Sequence, residues 1–265
     1  MLNILLFIMG LSIFLLGIFI LKTGMENMAT FNLKKIIASF TATPLKGCLT
    51  GTFITALLQS SSAVSVITMG LVDSGIMTFG QALGIILGAN IGTTITGQIM
   101  AFRLEAFGLP LTFMGLILII SGKRMRMIGF SLWGLGFIFL GMDIMGIAFS
   151  FVMENPLVRN LLLLTTRSQL FAVLFGIIFT AIIQSSSAMT GIVLVLAKNG
   201  HLDLITSTAI ILGSNVGTCF TAILAAIGAN TNGKRVAAAH VCLNILGVIL
   251  LFPFLEQFTM LMKFT

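Results

Sequence analysis

The sequence predicts an all-α polytopic membrane protein made of two related halves, and three observations carry that expectation. Of its 265 residues, 58% are hydrophobic and only 8% charged, with a mean hydropathy of +1.16. A soluble domain carries about 25% charged residues, so this chain could not cover a water-facing surface. Apolar runs of about twenty residues recur, which suits helices rather than the shorter alternating strands of a membrane barrel. Finally, Gln59-Ser60-Ser61-Ser62-Ala63 returns as Gln184-Ser185-Ser186-Ser187-Ala188, 125 positions later (184 − 59). Gly88-Ala89-Asn90-Ile91-Gly92-Thr93 returns at the same offset as Gly213-Ser214-Asn215-Val216-Gly217-Thr218.

The elements follow in order. Residues 3–21 form a first apolar helix, expected to end at Lys22. Without a basic leader or a small-residue cleavage site, it reads as a retained membrane helix rather than a signal peptide. A more polar stretch, 22–46, carries Lys22, Lys34, Lys35 and Lys46. The first motif segment, 47–72, is centred on the serines and followed by a break at Asp73, Ser74 and Gly75. The asparagine segment, 79–102, ends at Arg103 and Glu105. An apolar run, 106–121, then leads into a basic loop with Lys123, Arg124 and Arg126.

The second half repeats this order. Its first helix, 130–151, matches the opening helix through L-G-F-I-F-L-G (135–141) against L-S-I-F-L-L-G (11–17). A polar stretch with Glu154, Pro156, Arg159 and Arg167 precedes the second serine segment. A break over 198–203, the second asparagine segment and a last helix over 236–255 complete the half. The two repeats are therefore placed at 1–126 and 127–265. The net charge of +7 is spread over loops, where basic residues report orientation and not nucleic-acid binding. Cys48, Cys219 and Cys242 show no ligand spacing and read as small packing residues.

Each serine segment has about 12 residues on either side of its motif, short of the roughly 20 that a spanning helix needs. A re-entrant helical hairpin is the expected form. Each half then crosses three times, and an odd number makes the repeats inverted. A segment running straight through would instead give four crossings and parallel repeats. The basic residues divide nine against five in either case, so charge does not choose between them.

The motif chemistry favours the hairpin. Three consecutive serines and a glutamine cannot share one helical face, since neighbours lie about 100° apart. Unsatisfied polar groups in hydrocarbon are costly, and breaking the helix at the motif relieves them. Freed amides and hydroxyls then suit an anion, while freed carbonyls, hydroxyls and amide oxygens suit a small hard cation such as sodium. The asparagine segments are expected as discontinuous helices. Asn90 and Asn215 offer both donors and acceptors, beside Thr93 and Thr218. The glycines spaced by four around them permit close helix packing. With no basic residue inside either serine motif, an anion there calls for helix dipoles and co-bound cations.

On these residues the chain resembles the type II sodium–phosphate cotransporters, over nearly its whole length. The resemblance implies secondary active transport of inorganic phosphate driven by sodium, through two inverted repeats whose Gln-Ser-Ser-Ser motifs form the site by alternating access. It assigns phosphate to Ser60, Ser61, Ser62, Ser185, Ser186 and Ser187. It assigns sodium to Gln59, Gln184, Asn90, Asn215, Thr93 and Thr218, with no cofactor and no metal beyond that coupling ion. The implied partners are phosphate, sodium and the lipid bilayer of the cell membrane. Nucleic acid is excluded and a homodimer is left open. Two departures stand out. The family's His-x-x-x-Asn pair occurs as His240 and Asn244, but the first half offers Gly108 and Thr112. The soluble regulatory domain common in bacterial members is not expected here.

Other classes fit less well. Another small oxyanion (sulfate, arsenate or a carboxylate) would suit the same fold. An intramembrane serine hydrolase needs a base beside its nucleophile, but neither His201 nor His240 is duplicated as the serines are. A passive channel would want charged rings or a carbonyl filter. Asp143 and Asp73 are the acidic residues within or beside apolar runs, and Asp143 has no counterpart in the first half.

Overall fold

The computed structural model describes residues 2–29, 41, 43–102 and 107–262. These residues form helices and short connections, with no strand among them. The first half contributes α1 (Leu2–Ala29), α2 (Pro44–Leu58), α3 (Ser61–Asp73), α4 (Phe79–Ala101) and α5 (Gly108–Ile120). The second contributes α6 (Lys123–Val152), α7 (Pro156–Arg167), α8 (Gln169–Ile183), α9 (Ser186–Lys198), α10 (Leu204–Ala226) and α11 (Thr231–Leu251). A 3-10 turn (Phe252–Phe254) at Pro253 separates α11 from α12 (Leu255–Met262). Lys34, Lys35, Arg103 and Glu105, read above as flanking charges, lie outside the described residues.

Among the described residues, five segments are long and apolar enough to cross a membrane: Ile4–Met25, Phe79–Ala101, Met125–Phe149, Leu204–Ala226 and Thr231–Met262. The limbs of the serine segments are only 13 or 15 residues long. At 1.5 Å per residue the longer is about 22 Å, against a hydrocarbon core of about 30 Å.

Local chemistry sets the ends of these helices. Thr78 and Gln81 form a reciprocal capping box at the start of α4, and Asp203 Oδ1 accepts from Thr206 N at 2.8 Å at the start of α10. Gly75 and Gly200 take positive φ, +72° and +75°, just past α3 and α9 and stop both helices at matched positions.

Packing then decides the path of the chain. Position by position, α2 runs beside α4: a Cβ on Gly84 would meet Pro44, one on Gly88 would meet Cys48 and Thr52, and one on Gly92 would meet Thr52 and Ala56. The residue numbers rise together, so the helices are parallel and their N-terminal ends are adjacent. The second half repeats this register, with Gly213 against Val173 and Ile177, and Gly217 against Ile177 and Ala181.

If α2 and α3 ran straight, their outer ends would lie about 45 Å apart. The link from α3 to α4, residues 74–78, can bridge only about 20 Å. The chain therefore doubles back between α2 and α3. The same reasoning applies to α8 and α9, because the link to α10 spans only residues 199–203.

At the centre α1 and α6 pack antiparallel: Gly10 meets Ile144 and Met145, Gly17 meets Gly134 to Ile138, and Gly24 meets Phe130 and Ser131. The contact is reciprocal. Gly17 rests on Ile138 and Gly141 rests on Phe14, and each pair matches the other in the aligned heptapeptides. Phe14 and Ile138 are fully buried in an apolar cluster that reaches Ala188 and Val195 of α9 and Met100 of α4.

Several expectations need correction. α4 and α10 are continuous helices, not discontinuous ones. Thr93 and Thr218 satisfy their hydroxyls on the carbonyls of Ala89 and Ser214, each at 2.9 Å, so these polar segments need no break. α1 does not stop at Lys22 but continues to Ala29. The basic residues 123–126 are not a loop but the first turn of α6, which follows a turn at Gly122 with φ +133°. The polar stretch after α6 contains a helix, α7, started by Asn155 and Pro156.

The glycine seam makes a sharp prediction. Gly88→Ala and Gly213→Ala would force the paired helices apart and lower stability by about 1–3 kcal/mol. Gly80→Ala, where a Cβ meets nothing within 4 Å, would be neutral or stabilising by up to about 1 kcal/mol. Thermal unfolding of the three variants in detergent checks the contrast.

Candidate transport site

Both serine motifs fold the same way. α2 ends at Leu58, and Gln59 enters the left-handed region at φ 55°, ψ 30°, its N–H donating to Thr55 O at 2.8 Å. Ser60 then turns extended at φ −151° and caps α3, its Oγ accepting from Ala63 N at 3.2 Å. In the second copy Gln184 sits at φ 57°, ψ 27°, and Ser185, at φ −147°, accepts from Ala188 N at 3.2 Å. A left-handed residue that is not glycine costs roughly 1–2 kcal/mol. Gln59 and Gln184 are the only non-glycine residues with positive φ among those described.

Each break leaves the first amides of α3 or α9 outside the helical ladder, next to three hydroxyls. Ser60, Ser61, Ser186 and Ser187 are buried, and Ser62 and Ser185 half-buried. The two breaks face one cavity of about 570 Å³. Ten of the twelve expected site residues line it: Gln59, Ser60, Ser61, Ser62, Thr93, Gln184, Ser185, Ser186, Ser187 and Thr218. Gln59 is fixed on both sides, donating from Nε2 to Ala56 O and accepting at Oε1 from Thr96. Gln184 is exposed, and Thr221, the counterpart of Thr96, donates to Thr218 O in its own helix at 2.9 Å.

Asn90 and Asn215 do not line the cavity. Each is two residues from a seam glycine, about 200° around the helix, and so faces away from the hairpin. Asn90 Nδ2 donates to Asn244 Oδ1 at 2.9 Å, and Asn244 Nδ2 contacts His240 O at 3.0 Å and Cys219 Sγ at 3.1 Å. This buried network ties α4 to α10 and α11. Asn215 is exposed.

Several residues at the cavity escaped the sequence reading. Thr221 lines it, and so does one face of α1, where Leu15, Ile18, Phe19 and Lys22 recur at helical spacing. That spacing was the available signal, masked by ending the helix at Lys22. Beneath each break lies a matched buried hydroxyl, Thr55 Oγ1 and Thr180 Oγ1, with no hydrogen-bond partner among the described residues. Asp73 serves as a cap between the halves, its carboxylate accepting from Asn230 N at 3.0 Å and Gly233 N at 2.6 Å at the start of α11.

The chain is similar in sequence to several known proteins. YqeW of Bacillus subtilis (strain 168), whose name carries no activity, is 36% identical over 252 residues, covering 93% of this chain and 80% of YqeW. YjbB of Escherichia coli (strain K12), provisionally named for inorganic phosphate export, is 27% identical over 259 residues. That match takes in 97% of this chain, but the chain spans only about half of YjbB (48%). Human sodium-dependent phosphate transport protein 2B is 44% identical over 64 residues, 24% of this chain and 9% of the human protein. No solved structure matches the chain. The Na+/Pi-cotransporter family model matches residues 13–147 and 152–263. The chain therefore belongs to the Na+/Pi-cotransporter family, as a multi-pass protein of the cell membrane and not an enzyme.

Proposed function

We propose that this protein couples sodium to the movement of inorganic phosphate by alternating access, with residues 1–126 and 127–265 as inverted repeats. The observation that carries the reading is the single cavity faced by both helix breaks. Phosphate is taken up by the six motif hydroxyls and the first amides of α3 and α9, neutral donors suited to an oxyanion. Sodium is held by oxygens alone: Gln59, Gln184, Thr93 and Thr218, with the hydroxyls of Thr55 and Thr180, which have no partner among the described residues, one turn before each break. Asn90 acts at one remove, by fixing α4 against α11.

The antiparallel, reciprocal packing of α1 on α6 supports the inversion, because these helices are counterparts in the two halves. The doubling-back of each serine segment supports re-entrant hairpins that meet between the repeats. Two related halves that exchange roles about such an axis give alternating access a structural basis.

In proteoliposomes, labelled phosphate flux is expected to follow an imposed sodium gradient. Flux that persists unchanged with choline in place of sodium would refute the coupling. Excess sulfate or carboxylate should compete weakly, and labelled sulfate, arsenate or carboxylate carried in preference to phosphate would move the cargo to another oxyanion.

Ser61→Ala and Ser186→Ala should each lower the apparent second-order rate constant for phosphate by about 10- to 100-fold, the worth of a hydrogen bond to a charged group. Unaltered thermal unfolding would show that the loss is local. Gln59→Gly relieves the left-handed strain and should leave stability within about 1 kcal/mol of the wild type. Loss of flux in that variant would show the strained side chain to be kept for the ligand.

A further inference from the structure

The six serines and five threonine or glutamine positions at the cavity are uncharged. Among the described residues that line it, Lys22 is the only ionisable one. Its helix continues to Ala29, so Lys22 sits within an ordered helix and inside the apolar span Ile4–Met25. A lysine within a spanning helix is costly to insert, and such residues ordinarily face a polar cavity or a partner. Lys22 falls on the same face of α1 as Leu15, Ile18 and Phe19 and lines the cavity together with both serine triplets.

An oxyanion drawn from water into this site gives up its hydration. Neutral donors alone do not offset the cost of burying a net charge. We infer that Lys22 is the fixed counter-charge for the bound anion, making a charge-assisted contact that complements the neutral donors of the two hairpins. The inference rests on phosphate being the cargo, as proposed above. It also gives the site a polarity that the duplicated motifs lack. Gly17 and Gly141 are matched positions, so the counterpart of Lys22, five residues on, is Gly146. The charge is thus delivered by one half only.

Phosphate-dependent flux at saturating sodium tests this in wild-type, Lys22→Gln and Lys22→Arg proteins. The neutral variant should raise the half-saturating phosphate concentration about tenfold or more, the arginine variant should restore most of the affinity, and the maximal rate should change little. A half-saturating concentration unchanged in Lys22→Gln would overturn the inference while leaving the proposed function standing. A wild-type protein that neither binds nor moves inorganic phosphate would overturn both. If Lys22→Gln does not insert stably, Lys22→Met keeps the apolar stem without the charge, and the same two outcomes decide.

Discussion

The structure depends on a constraint imposed twice: a glutamine held in the left-handed region between two helices. That single residue ends one helix and turns the next serine into a cap, so a segment too short to span can reverse. The reversal also frees the amides and hydroxyls that face the cavity. A glycine would adopt the same backbone without strain, but it would bring no amide side chain to the break. At Gln59 that side chain is held by Ala56 and Thr96. Fold and site thus share one origin, and the strain carried there is matched by the caps and seams around it.

The duplication is close at the breaks and loose elsewhere. The backbone angles of the two motifs agree within a few degrees for Gln59 and Gln184, and the glycine seams share one register. Away from the centre the halves differ. α5 packs along α6, while α11 packs against α3, α4 and α10 and is anchored by Asp73. The asparagine network uses Asn90 but leaves Asn215 exposed. The hairpins share a backbone but not all side-chain contacts, since Gln59 is held on both sides while Gln184 is exposed.

Much of this was legible in the sequence, for identifiable reasons. The polar tetrad conflicts with helical geometry at membrane depth, and that conflict foretold the break. The glycine spacing foretold close packing. What sequence reasoning missed were facts of rotation and continuity. Asn90 is polar and central in its segment, yet its position two residues from a seam glycine turns it away from the cavity. The asparagine segments looked broken because they are polar, but threonine hydroxyls bonded to their own helix remove the need. Lys22 looked like the end of a helix because it is charged, and it proved to be an interior position.

The seam between each hairpin limb and its long helix has a mechanical consequence. Where backbone rests on backbone with no side chain between, a slip of one residue would drive a carbonyl into a neighbouring chain, and packed interfaces of this kind do not deform gradually. α2 with α4, and α8 with α10, are each packed backbone against backbone as one unit. Contacts made by side chains are more forgiving, as where the Phe14 ring lies against Gly191 of α9. A slip is easier at such surfaces than at the glycine seams, so relative movement, where it occurs, is directed to them.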